Sequence, residues 1–349
     1  MQLLRKQGSV IGLDIGTSMV KAAKMSQKGK TFILENYALE PIEEGTIQSG
    51  EIKNPSLLAQ AALKAVKRCD PHIRDVVIAL PNSSILSDVL TMDLRPEKQM
   101  KEAVLVEAQQ VSPFDMSDVE LDYAILSRDE AAKKIKVLMV VAKNDIILSY
   151  IDFLNEAGLR PIVIDIDLLA LANVFHLNYD LEKYRSSVLI NIGTENTVAA
   201  FINNGVYHSA RDISVAGAAF VRELKFLPGM TPDSIHGILK GKVGPDVNIE
   251  SVKDALNNAS REFADAVDVA LSYLQSSDAI EKIDLIALSG GYALTPGLIN
   301  VLEMRTGTEV VVMDPFISIQ CADSVTETAD PKMIGNVLAV AIGLGTRTS

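Results

Sequence analysis

Apolar runs of strand length alternate along this chain with stretches whose apolar residues recur at helical spacing. Val10 to Ile15 is such a run; it meets a Gly-Thr-Ser turn at 16–18 and a second run follows at once, which predicts a β-hairpin with a tight bend. Thr31 to Leu39 predicts a third strand, leading to an acidic, glycine-containing loop near Glu43 to Gly50. Asn54-Pro55 then opens a helix to about Arg68, with Leu57, Leu58, Ala61, Ala62 and Ala65 on its apolar face, and Asp75 to Leu80 returns as a strand. The order so far is β-β-β-α-β. Residues 81 to about 160 break it: strands at Ser84–Leu94, Val119–Leu126 and Lys134–Ala142 alternate with helices from Pro96 to about Val111 and from Asn144 to Ala157. That is the pattern of a small inserted α+β subdomain. Gly158 closes its last helix, and Arg160 to Ile166 is a strand running into IDIDLLALAN. Farther on, a long helix is expected over about Glu250 to Gln275 and an apolar one over about Met333 to Leu344.

The first hairpin recurs. With Asn191 placed on Asp14, Val188 to Ile202 repeats the Ile-Gly-Thr at 192–194 and the Ala-Ala at 199–200, so two like domains are expected. The residue types point to anion chemistry. Gly16 bends the backbone, and the amides of Gly16, Thr17 and Ser18 are arranged to cradle an anion. Asp14 suits a hydrated Mg²⁺, and Lys21 suits a phosphate as a point charge. The second hairpin offers Gly193, Thr194, Glu195 and Asn196, so that two facing hairpins would clamp a polyphosphate. Its Asn191 keeps hydrogen bonding but lacks the charge that Asp14 has at the matching place. In IDLIALSGGYALTPG a strand ends in Ser289-Gly290-Gly291, where a glycine pair permits close approach to a flat ring beside Tyr292 and Leu294. Thr295-Pro296 has the form of a helix N-cap followed by proline.

These three motifs, in this order, resemble the actin-like ATPase superfamily of actin, sugar kinases and heat-shock chaperones: D-x-G-T/S-x-x-x-K, a second phosphate hairpin, and S-G-G-x-x-x-x-P-G for adenosine. The resemblance implies an α/β fold of two actin-like, ribonuclease-H-like domains, 1–165 and 166–349, with the insertion at about 82–160 in the first and a cleft for ATP and Mg²⁺ between them. It implies a carboxylate facing the nucleotide at the start of the connecting helix. Asp167 matches that position, as a catalytic group orienting water or as a second Mg²⁺ ligand beside Asp14, with Asp165 as its neighbour. Ala216-Gly217 matches the family's small-residue turn, and Lys240 its adenosine-facing lysine, although the Ala-Glu pair that relatives place before that lysine is missing.

The segment KEAVLVEAQQVSPFDMSDVELDYAIL, through Glu107 in Val-Glu-Ala-Gln and the Ser112-Pro113-Phe114 turn, closely resembles the PilM family of type IV pilus assembly proteins, relatives of the division protein FtsA. Glu102, Glu107 and Asp115 themselves read as a solvated face and turn. Members of that family are cytoplasmic, bind ATP and dock the N-terminal cytoplasmic tail of an inner-membrane partner, PilN, in a groove between the first domain and the insertion. The expectation for this chain is therefore an ATP-binding scaffold with weak or no hydrolysis. It would touch the membrane only through that partner, work with other pilus assembly proteins, and form a homo-oligomer or ring if its copies associate. An FtsA-type division protein would end in a membrane-binding amphipathic helix, where this sequence ends Gly345-Thr346-Arg347-Thr348-Ser349. A small-molecule kinase would need a catalytic carboxylate beside a substrate cleft. A pseudo-ATPase that binds no nucleotide is the third alternative, and Asn191 favours it.

Bulk properties narrow this further. With 349 residues, 48% of them hydrophobic, the chain can bury the cores of about two domains. A net charge of −12 gives no basic footprint for nucleic acid. Cys69 and Cys321 offer neither a disulfide framework nor a zinc spacing, and the histidines at 72, 176, 208 and 236 form no ligand set. No apolar run reaches the roughly 20 residues needed to span a bilayer.

Overall fold

A computed structural model describes residues 9–48, 50–245, 247–278 and 282–347. The first part of the chain forms β1 (Val10–Ile15), β2 (Met19–Lys28), β3 (Thr31–Pro41), the short strands β4 (Ile47–Gln48) and β5 (Glu51–Ile52), α1 (Pro55–Cys69) and β6 (Asp75–Leu80). The insertion supplies β7 (Ile85–Asp93), α2 (Glu97–Val111), β8 (Val119–Asp129) and β9 (Lys134–Lys143), followed by α3 (Asn144–Glu156), β10 (Arg160–Ile166) and α4 (Asp167–Asn178). The second half forms β11 (Ser186–Ile192), β12 (Thr197–Asn203), β13 (Val206–Ile213), α5 (Gly217–Lys225), α6 (Pro232–Leu239) and α7 (Ile249–Asp278). It ends with β14 (Leu285–Ser289), α8 (Leu298–Thr306), β15 (Glu309–Val312), β16 (Gln320–Cys321), α9 (Asp323–Thr326) and α10 (Pro331–Gly345).

Two large sheets share one plan. In the first, β1, β2 and β3 form an antiparallel meander, and β6 and then β10 add in parallel on the other side of β1. In the second, β11, β12 and β13 form the meander and β14 and β15 add in parallel to β11. The sequence repeat is thus a repeat of topology. The central parallel strands are covered on both faces, which is why β6 (DVVIAL) and β14 (LIALS) are continuous apolar runs rather than alternating ones. At α1, Asn54 caps the helix by accepting from the Leu57 amide and Pro55 follows, as the sequence predicts.

α4 and α10 fill the space between the sheets. Leu168, Leu171 and Phe175 of α4 and Leu338 and Ile342 of α10 share one buried cluster with inner residues of both sheets, Met25 and Leu189 among them. Glycine sets the spacing: a Cβ on Gly12 of β1 would lie 2.0 Å from the Ala341 carbonyl of α10. The last helix therefore packs on the first sheet, where β16 also adds in parallel to β3.

The insertion folds as an antiparallel sheet in the order β7-β9-β8. One face carries α2, with Val104 and Ala108 against Val137, Met139 and Val141. From the other face Leu138 enters the cluster between the large sheets, with Val89, Leu126 and Val140 packed beside it. Burial on both faces explains the unbroken apolar run in β9.

Candidate functional site

The two hairpins are closed by the same device. Gly16 N–H donates to the Met19 carbonyl at 3.1 Å, and Gly193 N–H donates to the Asn196 carbonyl at 2.9 Å. The Gly16 amide, expected to face an anion, is thus used in closing its own turn, and Thr17 and Ser18 stand at the tip. Thr17 and Thr194 are half-buried, while Ser18, Glu195 and Asn196 are exposed. Across the first hairpin Lys21 is the register partner of Asp14, and its Nζ donates to the buried Asp14 Oδ2 at 2.7 Å. At the equivalent place in the second hairpin Asn191 faces Val198, so that hairpin lacks both charges. The tips touch directly. Ser18 Oγ and Thr194 Oγ1 are 3.0 Å apart, and the Thr194 hydroxyl also lies near the Tyr292 hydroxyl.

Asp167 opens α4 beneath the first hairpin, where the helix N-terminus favours an acidic residue. Its side chain keeps some contact with solvent, yet protein surrounds it on most sides. Burial, and after it the charge of Asp14, push its carboxyl up to about 8; Lys21 pulls the other way and Asp165 adds to the rise. Asp165 serves the fold instead, since its buried carboxylate accepts from Arg347 Nε at 2.5 Å and from the Ile166 amide at 2.9 Å. Tyr150 of α3 is buried, and its phenol is pushed up by that burial and by the charges of Asp167 and Asp14. β1, β2, α3 and α4 therefore bring Asp14, Lys21, Tyr150 and Asp167 close together. Among the described residues no group of three or more His, Cys, Asp or Glu side chains could hold a metal ion by itself.

On the other side β14 ends at the buried Ser289, whose hydroxyl donates to the Ile190 carbonyl at 3.3 Å and to Asn191 Oδ1 at 3.4 Å. Gly290 has φ of 92°, and a Cβ there would lie 2.4 Å from the Ile192 carbonyl, so only glycine lets the two turns meet. Asn336 of α10 braces this turn from below: Gly290 N–H donates to its carbonyl and its Nδ2 donates to the Gly290 carbonyl, both at 2.8 Å. Gly291 faces open space. The Tyr292 ring lies so close to Gly217, the first residue of α5, that a Cβ there would be 2.2 Å from it, and the ring stacks on Phe220. The Gly217 and Ala218 amides donate to the Gly193 and Thr194 carbonyls at 2.9 and 2.8 Å, so the start of α5 grips the second hairpin.

Two expectations need adjusting. The helix after the glycine pair starts at Leu298 rather than at Pro296; the buried Thr295 hydroxyl donates back to the Tyr292 carbonyl at 2.8 Å and so stabilises a turn instead of a cap, with half-buried Leu294 in that turn. Lys240 stands at the C-cap of α6, and none of the cleft's hydrogen bonds or ion pairs described above includes it. Asp14, Gly16, Thr17, Ser18, Lys21, Asp167, Asn191, Gly193, Thr194, Gly217, Gly290 and Tyr292 are all brought together by the contacts above. Sequence reasoning missed Asn336, Tyr150 and Arg347. For Asn336 a signal existed, because a lone amide inside the apolar IGNVLAVAIG needs a buried partner.

Comparison with known proteins gives a consistent picture. A family model described as type IV pilus assembly protein PilM matches residues 12–349. Among solved structures, the "PilM-PilN type IV pilus biogenesis complex" superposes with a TM-score of 0.81 at 23% identity, covering 97% of this chain and 98% of that one. The ethanolamine utilization protein EutJ from Carboxydothermus hydrogenoformans gives 0.58 at 12% identity, over 98% of this chain and 90% of that one. MreB5 of Spiroplasma citri bound to ADP gives 0.52 at 14%, over 96% and 94%. The paired sheets with helices between them are an actin-like fold.

Proposed function

Because the chain belongs to the PilM family of type IV pilus assembly proteins, we propose that it is an ATP-binding scaffold of pilus assembly that docks the cytoplasmic N-terminal tail of a PilN-like inner-membrane protein. The observation that carries this reading is the family match, which spans both halves of the chain and the insertion between them. On this reading it works on the cytoplasmic side of the inner membrane, held there by its partner. No helix among the described residues is long and apolar enough to cross a membrane.

The residues of the cleft fit Mg-ATP. Lys21 pairs with Asp14, while burial and the Asp14 charge keep the Asp167 carboxyl protonated at neutral pH; a hydrated Mg²⁺ would favour ionisation of Asp167 and would be held by Asp14 and Asp167 together. Phosphates would be held by Thr17, Ser18 and Lys21 from one hairpin and, from the other, by Thr194, Asn196 and the backbone amide of Glu195 in the turn that Gly193 closes. Adenosine would lie along Gly217, Gly290, Gly291, Tyr292 and Leu294. Bound nucleotide would supply a bridge of charge between the two lobes in place of the Ser18–Thr194 hydroxyl pair. Asp167 would orient water, and Asn191, with Val198 opposite, offers no charge at the place that Asp14 and Lys21 hold in the first hairpin. Turnover is slow or absent on this account.

Support for the tail groove comes from apolar residues left at the surface. Leu105, Val106 and Val111 of α2 and Leu148 of α3 are exposed, and Lys143 Nζ, at the start of α3, lies 5.1 Å above the Phe114 ring just beyond α2. An apolar tail segment suits that strip. The test is calorimetric titration with Mg-ATP and with a synthetic peptide of the partner's N-terminal tail, each alone and each in the presence of the other. The reading expects saturable binding of both, and Asp14→Ala should abolish Mg-dependent ATP binding. Tail binding without detectable ATP binding would leave a docking platform alone, and absence of both would refute the proposal.

A further inference from the structure

The insertion hangs on a narrow attachment. Its chain enters at Ile85 and leaves at Ala142, and these two residues are register partners, so a single strand pair carries the chain in and out. Its far contact is with the other lobe. β7, an edge of the inserted sheet, runs against β13, an edge of the second large sheet, and the two belong to separate hydrogen-bonded sheets. Side chains make the joint. Ser87 Oγ and the hydroxyl of the buried Tyr207 are 2.9 Å apart; just before the insertion, Asn82 Nδ2 donates to Asp212 Oδ1 of β13 at 2.9 Å. Behind the Ser87–Tyr207 pair, Leu138, Val89 and Val140 pack into the cluster that holds Tyr207 and Ile202. An edge-to-edge joint of this kind holds two bodies together while leaving each backbone ladder intact.

The proposed tail groove has one wall on each body. α2 lies on the inserted sheet, whereas α3 packs through Tyr150, Phe153 and Leu154 on the first large sheet. We infer that the Ser87–Tyr207 seam makes the insertion travel with the second lobe, so that movement of the lobes about the nucleotide cleft changes the separation of α2 and α3. The coupling of ATP to tail affinity runs through this seam; that part takes the function proposed above as its premise. The differential affinity of the tail for the two separations fixes the size of the effect, and by linkage the tail changes ATP affinity by the same factor.

The test uses the full chain carrying Ser87→Ala, Tyr207→Phe or both, with two readouts. Native-state hydrogen exchange needs no ligand. Loss of the hydroxyl pair should speed exchange in 85–93 and 134–143 by about fivefold, the equivalent of about 1 kcal/mol. Strands β11 and β12 should be unaffected, and the double variant should be no faster than either single one. Unchanged exchange in the insertion would overturn the seam whatever the protein binds. In calorimetry the variants should keep both ligands while the ratio of tail Kd with and without Mg-ATP moves from its wild-type value toward one. A wild-type ratio in the variants would overturn the coupling. Absence of ligand binding by the wild type would refute the function alone, with the exchange result still deciding the seam.

Discussion

Replacing Asp167 with asparagine should make the ligand-free protein more stable, by an amount that depends on pH in a defined way. The unfolded carboxyl titrates near 3.8, whereas in the fold burial and the Asp14 charge push it up to about 8. The group's pKa is raised by folding, so between those values the folded state holds a proton that the unfolded state has lost, and stability falls as pH rises. At about 1.4 kcal/mol per pH unit, ionisation by pH 7 carries a ceiling of about 4 kcal/mol. The side chain retains some solvent contact, and screening brings the expected figure to about 2 kcal/mol. Asp167→Asn preserves shape and removes the charge. Urea denaturation of both proteins at about pH 4, 6 and 8 should give curves that coincide at the lowest pH and separate progressively toward the highest, the variant being the more stable. A variant less stable than the parent at pH 7, or a difference independent of pH, would refute the electrostatic account. The same strain gives the position functional interest, since a site that disfavours its own charge is poised for a cation.

Other outcomes follow from single contacts. Gly290→Ala should cost about 3 kcal/mol or more, because it adds left-handed strain to a collision with the Ile192 carbonyl, whereas Gly291→Ala, facing open space, should stay within about 0.5 kcal/mol; thermal melts compare them directly. Leu148→Asp, at a side chain 56% exposed, should leave the melting temperature nearly unchanged while weakening tail-peptide binding by about tenfold in calorimetry, the equivalent of about 1.4 kcal/mol. Thiol labelling at pH 8 should reach half-buried Cys321, whose thiol burial raises to about 11, slowly, and should reach Cys69, raised by burial to about 12, only upon unfolding.

The sequence by itself determined the repeating parts. Hairpins, the α1 cap, the strands of the insertion and the order β-β-β-α-β were legible because each depends on interactions a few residues apart: an apolar run, a Gly-Thr turn, an Asn-Pro start. The positions of Asp14, Lys21 and Gly290 at the hairpin and the glycine turn were legible for the same reason, as short motifs with fixed offsets. Only the tertiary structure decided what those groups meet. That Asp165 is held by Arg347 while Asp167 faces Asp14, that Asn336 braces Gly290, and that Thr295 closes a turn rather than capping a helix depend on contacts the local pattern does not specify. Likewise β9 reads as one apolar strand in sequence, but its two faces are buried by different partners, the α2 layer and the cluster between the two large sheets. Periodicity records that a face is buried; which partner buries it is fixed by shape and packing, where a glycine such as Gly12 sets how closely a helix can approach.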